Sequence, residues 1–144
     1  MNIADAGKLT AMMQAFVREN DDFRAMGVCG SWARGNARPD SDLDILIIAR
    51  DPDRLRRRQE WIGELKFRDA DFRYLSHKTA RYGAVWSAHI QLEPAAEVEL
   101  GLAGESWAST SPIDSGTRHI VNDAFKIVVD KDGRLERLIA ACSA

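Results

Sequence analysis

Two aspartates separated by one apolar residue are the clearest candidates for chemistry in this 144-residue chain. Asp42 and Asp44 flank Leu43, and the apolar run that follows at 45–48 is typical of a β-strand. Because successive side chains of a strand alternate between its faces, the two carboxylates share one face, about 6–7 Å apart. They repel each other unless a cation lies between them. A hard divalent cation with oxygen ligands meets that need, Mg²⁺ first and Mn²⁺ as an alternative.

A Gly-Ser pair, Gly30 and Ser31, follows a short apolar run at 25–29. Glycine allows the backbone to approach an anion closely, serine adds a hydroxyl, and a helix that starts here would direct free N–H groups at a phosphate. Arg34 is a further candidate for phosphate contact, since a guanidinium group pairs with two oxygens. Its alternative is a solvated turn residue or a partner for a nearby aspartate. A phosphate cradle beside a metal site predicts Mg-nucleotide chemistry.

The pattern of G-S, a spacer and D-L-D followed by I-L-I-I resembles the signature of the DNA polymerase β-like nucleotidyltransferases, most closely their small single-domain members. The resemblance implies that Gly30 and Ser31 hold the phosphates of a nucleoside triphosphate, with ATP as the expected one. It implies that both aspartates bind Mg²⁺. Related sequences commonly place a serine just before the first aspartate, as Ser41 stands here, so Ser41 joins the expected nucleotide-binding residues. The implied reaction moves AMP to a hydroxyl of an unidentified acceptor.

The same resemblance implies a third carboxylate on a later strand, which completes the metal site and helps to deprotonate the acceptor hydroxyl. Strands at 82–92 and 96–103, separated by a turn at 93–95, are predicted to form a β-hairpin. In the second strand Glu97 and Glu99 share one face. We predict Glu99 as the third catalytic and metal-binding carboxylate, with Glu97 in reserve. The alternative is that both glutamates face solvent on an edge strand.

The whole chain, 1–144, is predicted to form one α/β (α+β) domain with a short, mixed, twisted sheet and helices mainly on one face. Its 45% hydrophobic and 29% charged residues are ordinary for a globular protein. Helices are expected at 5–20, 51–65 and 115–121 and from 135 onward, with Asp114 as the N-cap of the third. Further strands are expected at 23–29, 71–76 and 125–129.

Composition excludes several classes of protein. The net charge of −2 predicts no general affinity for nucleic acid, because nucleic-acid binders usually carry a basic field. Cys29 and Cys142 form no disulfide framework, and Cys29 is interpreted as a small core residue. Neither a signal peptide nor a run of membrane-spanning length is visible, so a cytoplasmic protein without membrane association is expected. The basic run at 54–58 is interpreted as a solvated helix face paired with neighbouring acids.

Three functional hypotheses follow. The first is an active transferase acting on a small molecule, an RNA end or a protein side chain. The second, which the resemblance implies, is an antitoxin-like module that works with a helical partner protein or as a homodimer. The third is a nucleotide-binding domain that has lost catalysis, and the retention of the Gly-Ser pair and both aspartates argues against it.

The sequence suggests more than one role for the tryptophans and for His77. The tryptophans at 32, 86 and 107 could stack on a base, although buried packing is the commoner use of tryptophan. His77 is interpreted as a surface or hydrogen-bonded histidine, because no partner at a suitable spacing accompanies it.

Overall fold

The computed structural model describes residues 1–143 as six strands and six helices. The strands are β1 (Phe23–Cys29), β2 (Leu43–Ala49), β3 (Arg73–Tyr82), β4 (Val85–Glu93), β5 (Ala96–Gly104) and β6 (Phe125–Asp130). The helices are α1 (Ile3–Glu19), α2 (Ser31–Arg34), α3 (Pro52–Arg57), α4 (Glu60–Gly63), α5 (Ser115–Asp123) and α6 (Arg134–Cys142), and 3-10 turns lie at Phe67–Ala70 and Glu105–Ala108. In the part of the chain so described, no helix combines the length and hydropathy that a membrane crossing needs.

All six strands form one mixed sheet in the order β3-β4-β5-β2-β1-β6. β2 and β5 are parallel, and the other neighbouring pairs are antiparallel. The predicted α/β fold with a mixed sheet is therefore confirmed. The edge-strand alternative for Glu97 and Glu99 is wrong, because β5 is an interior strand that pairs with β2 on one side and β4 on the other.

Alternation along β2 divides its side chains between two cores. Leu43, Ile45 and Ile47 are buried with α1, which belongs to the larger helical layer. Leu46 is buried on the opposite face, in a smaller core with residues of α5 and α6. Asp44 has the same parity as Leu46, so its carboxylate lies on the α5 face of the sheet. The apolar pattern of one strand thus decides on which face the polar residues lie.

The first helix, which the 3.6-residue spacing of apolar residues predicts, is confirmed as α1. Asn2 caps α1 by accepting a hydrogen bond from the Asp5 N–H at 2.8 Å, and the Asp5 carboxylate accepts one from the Asn2 N–H at 3.0 Å. This reciprocal capping box satisfies two N–H groups that the first turn would otherwise leave unpaired. Leu9, Met13 and Val17 are buried against the sheet, which fixes the orientation of the helix.

The predicted continuous helix at 51–65 is wrong. The chain forms α3 and α4 instead, separated by an extended residue at Arg58 with φ −124° and ψ 92°. The break brings the Trp61 ring into a stack on Phe16, with centroids 6.0 Å apart. The indole N–H donates to the Leu55 carbonyl oxygen at 3.0 Å. A tertiary aromatic contact therefore overrides local helix propensity.

β3 is longer than the predicted strand at 71–76, because it pairs with β4 along its whole length as far as Tyr82. His77 lies inside it. One ring nitrogen is 2.7 Å from the Tyr74 hydroxyl and the other 2.8 Å from the Gln59 side-chain oxygen. The interpretation of His77 as a hydrogen-bonded histidine is confirmed.

Asp114 caps α5, as the sequence predicts. Its carboxylate accepts a hydrogen bond from the Thr117 N–H at 3.0 Å. We expect Asp114→Ala to lower the free energy of unfolding by about 1 kcal/mol, measured by chemical denaturation. Ser115→Ala, at the next and exposed position, serves as the control and should change it by less than about 0.5 kcal/mol. An equal loss in both variants would contradict the capping role.

Candidate active site

The three carboxylates predicted from the sequence lie together on the α5 face of the sheet. Asp44 and Glu99 are direct neighbours in the parallel pairing of β2 with β5. Asp42, two residues before Asp44, has the same parity. One carboxylate oxygen from each of the three lies within 4.8 Å of the others. Residues more than fifty positions apart in the chain are thus brought together by the register of two parallel strands.

The carboxylates disturb one another's protonation. Burial raises the pKa of Asp44 from its usual 3.8 to about 7, and a hydrogen-bonding contact with Glu99 and the charges of Glu99 and Asp42 add to the rise. Burial also raises the pKa of Asp42, with Glu97 as the second cause. Three negative charges at this separation are therefore unfavourable without a counterion.

This cluster fits a hard divalent cation. Asp44 Oδ1 is buried and has no hydrogen-bond partner among residues 1–143. A buried oxygen of that kind usually has a partner, so its lack of one requires an explanation. All three side chains offer carboxylate oxygens, the donor type that Mg²⁺ and Mn²⁺ prefer.

The raised pKa of Asp44 predicts a pH-dependent stability of the metal-free protein. The folded state holds this proton more tightly than the unfolded state, so the stabilisation is complete below about pH 4 and is lost as the pH rises through about 7. We expect the melting temperature of the wild type, relative to that of Asp44→Asn, to fall between pH 5 and pH 8. A constant difference would contradict the assignment. Adding Mg²⁺ should restore stability at pH 8, because deprotonated carboxylates bind the ion.

Gly30 lies directly against this cluster. Its φ is +69°, and a Cβ atom at this position would lie 2.3 Å from Asp44 Oδ2. Its carbonyl oxygen accepts hydrogen bonds from the Ala33 and Arg34 N–H groups, both at 3.0 Å, and so begins α2. Ser31 is the half-buried first residue of that short helix. The Gly-Ser turn is therefore next to the carboxylates, where the sequence predicts it.

Arg34 and Ser41 have structural partners in the fold. Arg34 donates to the Asp123 carboxylate of α5 at 2.5 Å. The alternative in which Arg34 pairs with an aspartate is therefore the one observed in this structure. The Ser41 hydroxyl accepts a hydrogen bond from the Arg38 N–H at 2.8 Å and closes the turn before β2. Gly30 and Arg34 line a cleft beside the carboxylates, whereas Ser31 and Ser41 are outside its lining.

That cleft has a volume of about 430 Å³ and lies between the sheet and α5. Asp44 and Glu99 are in its lining, together with the ion pair of Arg34 and Asp123. A larger groove of about 770 Å³ lies between α1 and the segment with α3 and α4, away from the carboxylates. We place the candidate active site in the smaller cleft, because Asp44 and Glu99 line it and Asp42, outside the lining, is clustered with both.

Sequence reasoning missed His89. It is the cross-strand neighbour of Glu99, and its Nε2 lies 3.7 Å from Glu99 Oε1. The Tyr82 hydroxyl is 3.4 Å from the same nitrogen. The signal was available in the predicted hairpin, because counting back from the turn at 93–95 places residue 89 opposite residue 99. Asp123 had no comparable signal, since its contact with Arg34 depends on the packing of α5.

Burial decides the roles of the tryptophans and of Cys29. Trp86 and Trp107 are buried in the two cores, which confirms packing as their role. Trp32 is half-buried and packs against the core of the α1 face. Cys29 is half-buried against the smaller core, lines the cleft, and is the cross-strand neighbour of Asp44. Burial, with Asp44 and then Glu99 as further causes, raises the pKa of its thiol to about 12, so it stays protonated.

Known proteins resemble this chain in sequence and in fold. A family model described as a nucleotidyltransferase domain matches residues 13–85, about half of the chain. The fold is similar to that of an aminoglycoside 6-adenyltransferase from Bacillus subtilis, with a TM-score of 0.53 and 12% identity over 74% of this chain. The chain spans 37% of that protein. It is also similar to a toxin-antitoxin structure with AMP-PNP, with a TM-score of 0.51 and 14% identity over 93% of this chain and 83% of the other. No curated protein shows a significant match.

Proposed function

We propose that this chain, which belongs to the nucleotidyltransferase domain family, transfers a nucleoside monophosphate from a nucleoside triphosphate to a hydroxyl group. The observation that carries the proposal is the meeting of Asp42, Asp44 and Glu99 beside the Gly30 turn. AMP from ATP is the finer proposal. It is supported by the adenyltransferase relative and by the AMP-PNP in the toxin-antitoxin structure.

The triphosphate is proposed to bind at the Gly-Ser turn. Gly30 lets the backbone approach the phosphates closely, and Ser31 offers its hydroxyl. Arg34 lies at the edge of the same cleft, where its guanidinium group would exchange Asp123 for phosphate oxygens. Ser41 completes the proposed nucleotide-binding residues by fixing the turn that leads into β2.

Asp42, Asp44 and Glu99 are proposed to hold Mg²⁺, with Mn²⁺ as an alternative. When bound, the ion neutralises phosphate charge and lowers the pKa of the acceptor hydroxyl. The chain itself binds the two substrates and aligns them. The acceptor oxygen forms a bond to the α-phosphorus, its proton passes to a nearby carboxylate or to water, and pyrophosphate leaves on the opposite side. Most of the rate enhancement then comes from positioning.

Glu99 and Glu97 are distinguished by a pair of matched variants. We expect Glu99→Gln to lower kcat about a hundredfold or more, the usual contribution of a carboxylate that moves a proton in the transition state. Glu97→Gln should lower it less than about tenfold, because Glu97 is not one of the three clustered carboxylates and contacts them through Asp42. Steady-state kinetics with saturating Mg²⁺ checks both. A larger loss for Glu97→Gln would reverse the assignment.

Labelled nucleotides test the proposed reaction even though the acceptor is unidentified. The protein is incubated with Mg²⁺ and ATP labelled at the α- or the γ-phosphate, in the presence of the low- and high-mass fractions of a cell extract. We expect α-label in a new product and γ-label in pyrophosphate. Asp44→Asn should give neither. Absence of α-label transfer in both fractions, from ATP and equally from α-labelled GTP, CTP and UTP, would contradict the proposal.

An antitoxin-like module that works with a helical partner protein is the second candidate. It is favoured by the similarity to the toxin-antitoxin structure, which extends over most of both chains. If it is correct, coexpression with a small helical protein encoded beside the gene should give a stable complex, and α-label should appear on that partner. Size-exclusion chromatography with light scattering distinguishes this complex from a homodimer. A wild-type protein that stays monomeric in that coexpression would count against this candidate.

A further inference from the structure

We infer that the half of the cleft beyond Glu99 binds the acceptor, and that the acceptor is a small, uncharged molecule with a flat ring and a free hydroxyl. This inference rests on the proposed function, since it concerns the second substrate of the same reaction. We call this half of the cleft the ring slot and define it by Leu46, Val85, Gly101 and Ile120, with Tyr82 at its mouth.

The order of strands places the ring slot on the correct side. From β1 to β3 the lining passes from Gly30, through Asp44 and Glu99, to Val85 and Tyr82 on the β3–β4 hairpin. In phosphoryl transfer the attacking and leaving oxygens are roughly in line through phosphorus. If pyrophosphate leaves on the Gly30 side, the acceptor hydroxyl must enter from the β4 side. Val85 and Tyr82 of the ring slot lie on that side, and Leu46 and Gly101 follow Asp44 and Glu99 by two residues along β2 and β5.

The floor of the ring slot is flat and apolar because residue 101 is glycine. A Cβ atom on Gly101 would lie 3.2 Å from both the Leu46 and the Val85 side chains. These two side chains therefore close over the glycine, and Ser87, the cross-strand neighbour of Gly101, adds a polar residue to the otherwise apolar floor. Ile120 of α5 supplies the facing wall. Two apolar surfaces that face each other favour a planar ring over a polyol or a charged chain.

Charge and size restrict the acceptor further. The carboxylates of Asp44 and Glu99 disfavour an anionic acceptor, and Arg34 is already paired with Asp123. The cleft volume of about 430 Å³ is near the lower end of the range for small-molecule sites, about 300–1,000 Å³. The triphosphate takes part of that space. The remainder suits one or two rings.

Tyr82 and His89 connect the ring slot to the third carboxylate. Tyr82 is 56% exposed, although it is aromatic, and it lines the mouth of the cleft. Its hydroxyl lies 3.4 Å from His89 Nε2, which is 3.7 Å from Glu99 Oε1. An aromatic face at the mouth stacks on the ring of an entering molecule. We assign Tyr82 as a positioning residue that places the ring with its hydroxyl toward Glu99.

Benzyl alcohol, a flat ring with a free hydroxyl, is a suitable probe. It is titrated into the labelled protein with Mg²⁺ and a non-hydrolysable ATP analogue, and amide shifts are followed by NMR. We expect saturable shifts at Gly101 and His119. Ile120→Phe, which fills the ring slot, should weaken binding at least about tenfold. Val121→Phe on the same helix, outside the lining, should not.

Tyr82 gives a second pair of variants that does not depend on filling the core. Tyr82→Ala should weaken benzyl alcohol binding several-fold, because an aromatic contact is lost, and Tyr82→Phe should retain it. Benzoate, which has the same ring and a negative charge, should bind more weakly than benzyl alcohol. Glucose, which has a hydroxylated ring without a flat apolar face, should not shift the Gly101 amide.

Five results would overturn the inference. The probe could shift amides elsewhere, could bind Ile120→Phe as it binds the wild type, or could bind no better than benzoate. The ATP analogue could itself shift the Gly101 amide more than inorganic tripolyphosphate does, which would make the ring slot the base site. A protein that binds the Mg-ATP analogue but not benzyl alcohol contradicts the inference alone. A protein that binds neither the analogue nor ATP contradicts the proposed function.

Discussion

Asp44→Asn is expected to abolish nucleotide transfer while making the metal-free protein more stable at pH 8. Asp44 Oδ1 is buried without a hydrogen-bond partner among the described residues, and burial together with Glu99 and Asp42 raises the pKa of the carboxyl to about 7. Above that pH the charge is unfavourable, and the neutral amide removes it. Loss of a carboxylate ligand should lower transfer about a thousandfold or more, because metal and electrostatic stabilisation supply several kcal/mol.

Thermal melts and transfer assays on the same preparations check both halves of this prediction. Asp40→Asn is the matched control: it makes the same chemical change at an exposed residue nearby and should alter neither quantity. Mg²⁺ should raise the melting temperature of the wild type but not that of Asp44→Asn. An Asp44→Asn protein that melts lower than the wild type at pH 8, or that keeps Mg²⁺-dependent transfer, would contradict the metal-site assignment.

Gly30→Ala has the second largest expected effect. Gly30 has φ +69° and ψ −151°, a region that is essentially restricted to glycine, so alanine should cost about 2–3 kcal/mol of stability. Its Cβ would also lie 2.3 Å from Asp44 Oδ2, so the carboxylate must move. A displaced catalytic group can lower the rate about a hundredfold. We therefore expect losses in both stability and kcat.

Gly35→Ala separates the effect of backbone strain from the effect of a Cβ atom close to Asp44. Gly35 also has a positive φ, +81°, but nothing lies within 4 Å of a Cβ at that position. We expect Gly35→Ala to lower the free energy of unfolding by about 1–2 kcal/mol and to leave kcat unchanged. Denaturant unfolding and steady-state kinetics give both quantities. Equal losses of kcat in the two variants would mean that backbone strain, and not the approach to Asp44, explains the effect of Gly30→Ala.

Local patterns in the sequence predicted that the two aspartates share one face of a strand, whereas the third carboxylate was expected from the family resemblance. The apolar run after Asp44 identifies a buried strand, and alternation then decides which carboxylates share a face. The turn at 93–95 fixes the hairpin that carries Glu99. These features depend on neighbours within a few residues, and the structure brings Asp42, Asp44 and Glu99 together accordingly.

The features that could not be read depend on contacts between distant segments. The break at Arg58 follows from the stacking of Trp61 on Phe16, which no local pattern indicates. The pairing of Arg34 with Asp123 requires α5 to lie over the end of the sheet. His89 is an intermediate case, because the register of the predicted hairpin already places it opposite Glu99. Tertiary packing decides all such pairings, and it is only weakly encoded in propensity.

Calorimetric titration with ATP, GTP, CTP and UTP tests most directly whether the carboxylates and the Gly-Ser turn form one metal-nucleotide site. Each titration is run with Mg²⁺ and with a chelator, on the wild type and on the Asp42→Asn/Asp44→Asn double variant. We expect at least one triphosphate to bind the wild type with Mg²⁺ only, and none to bind the double variant. Binding that persists with the chelator or in the double variant would contradict the site, as would a folded wild type that binds no triphosphate.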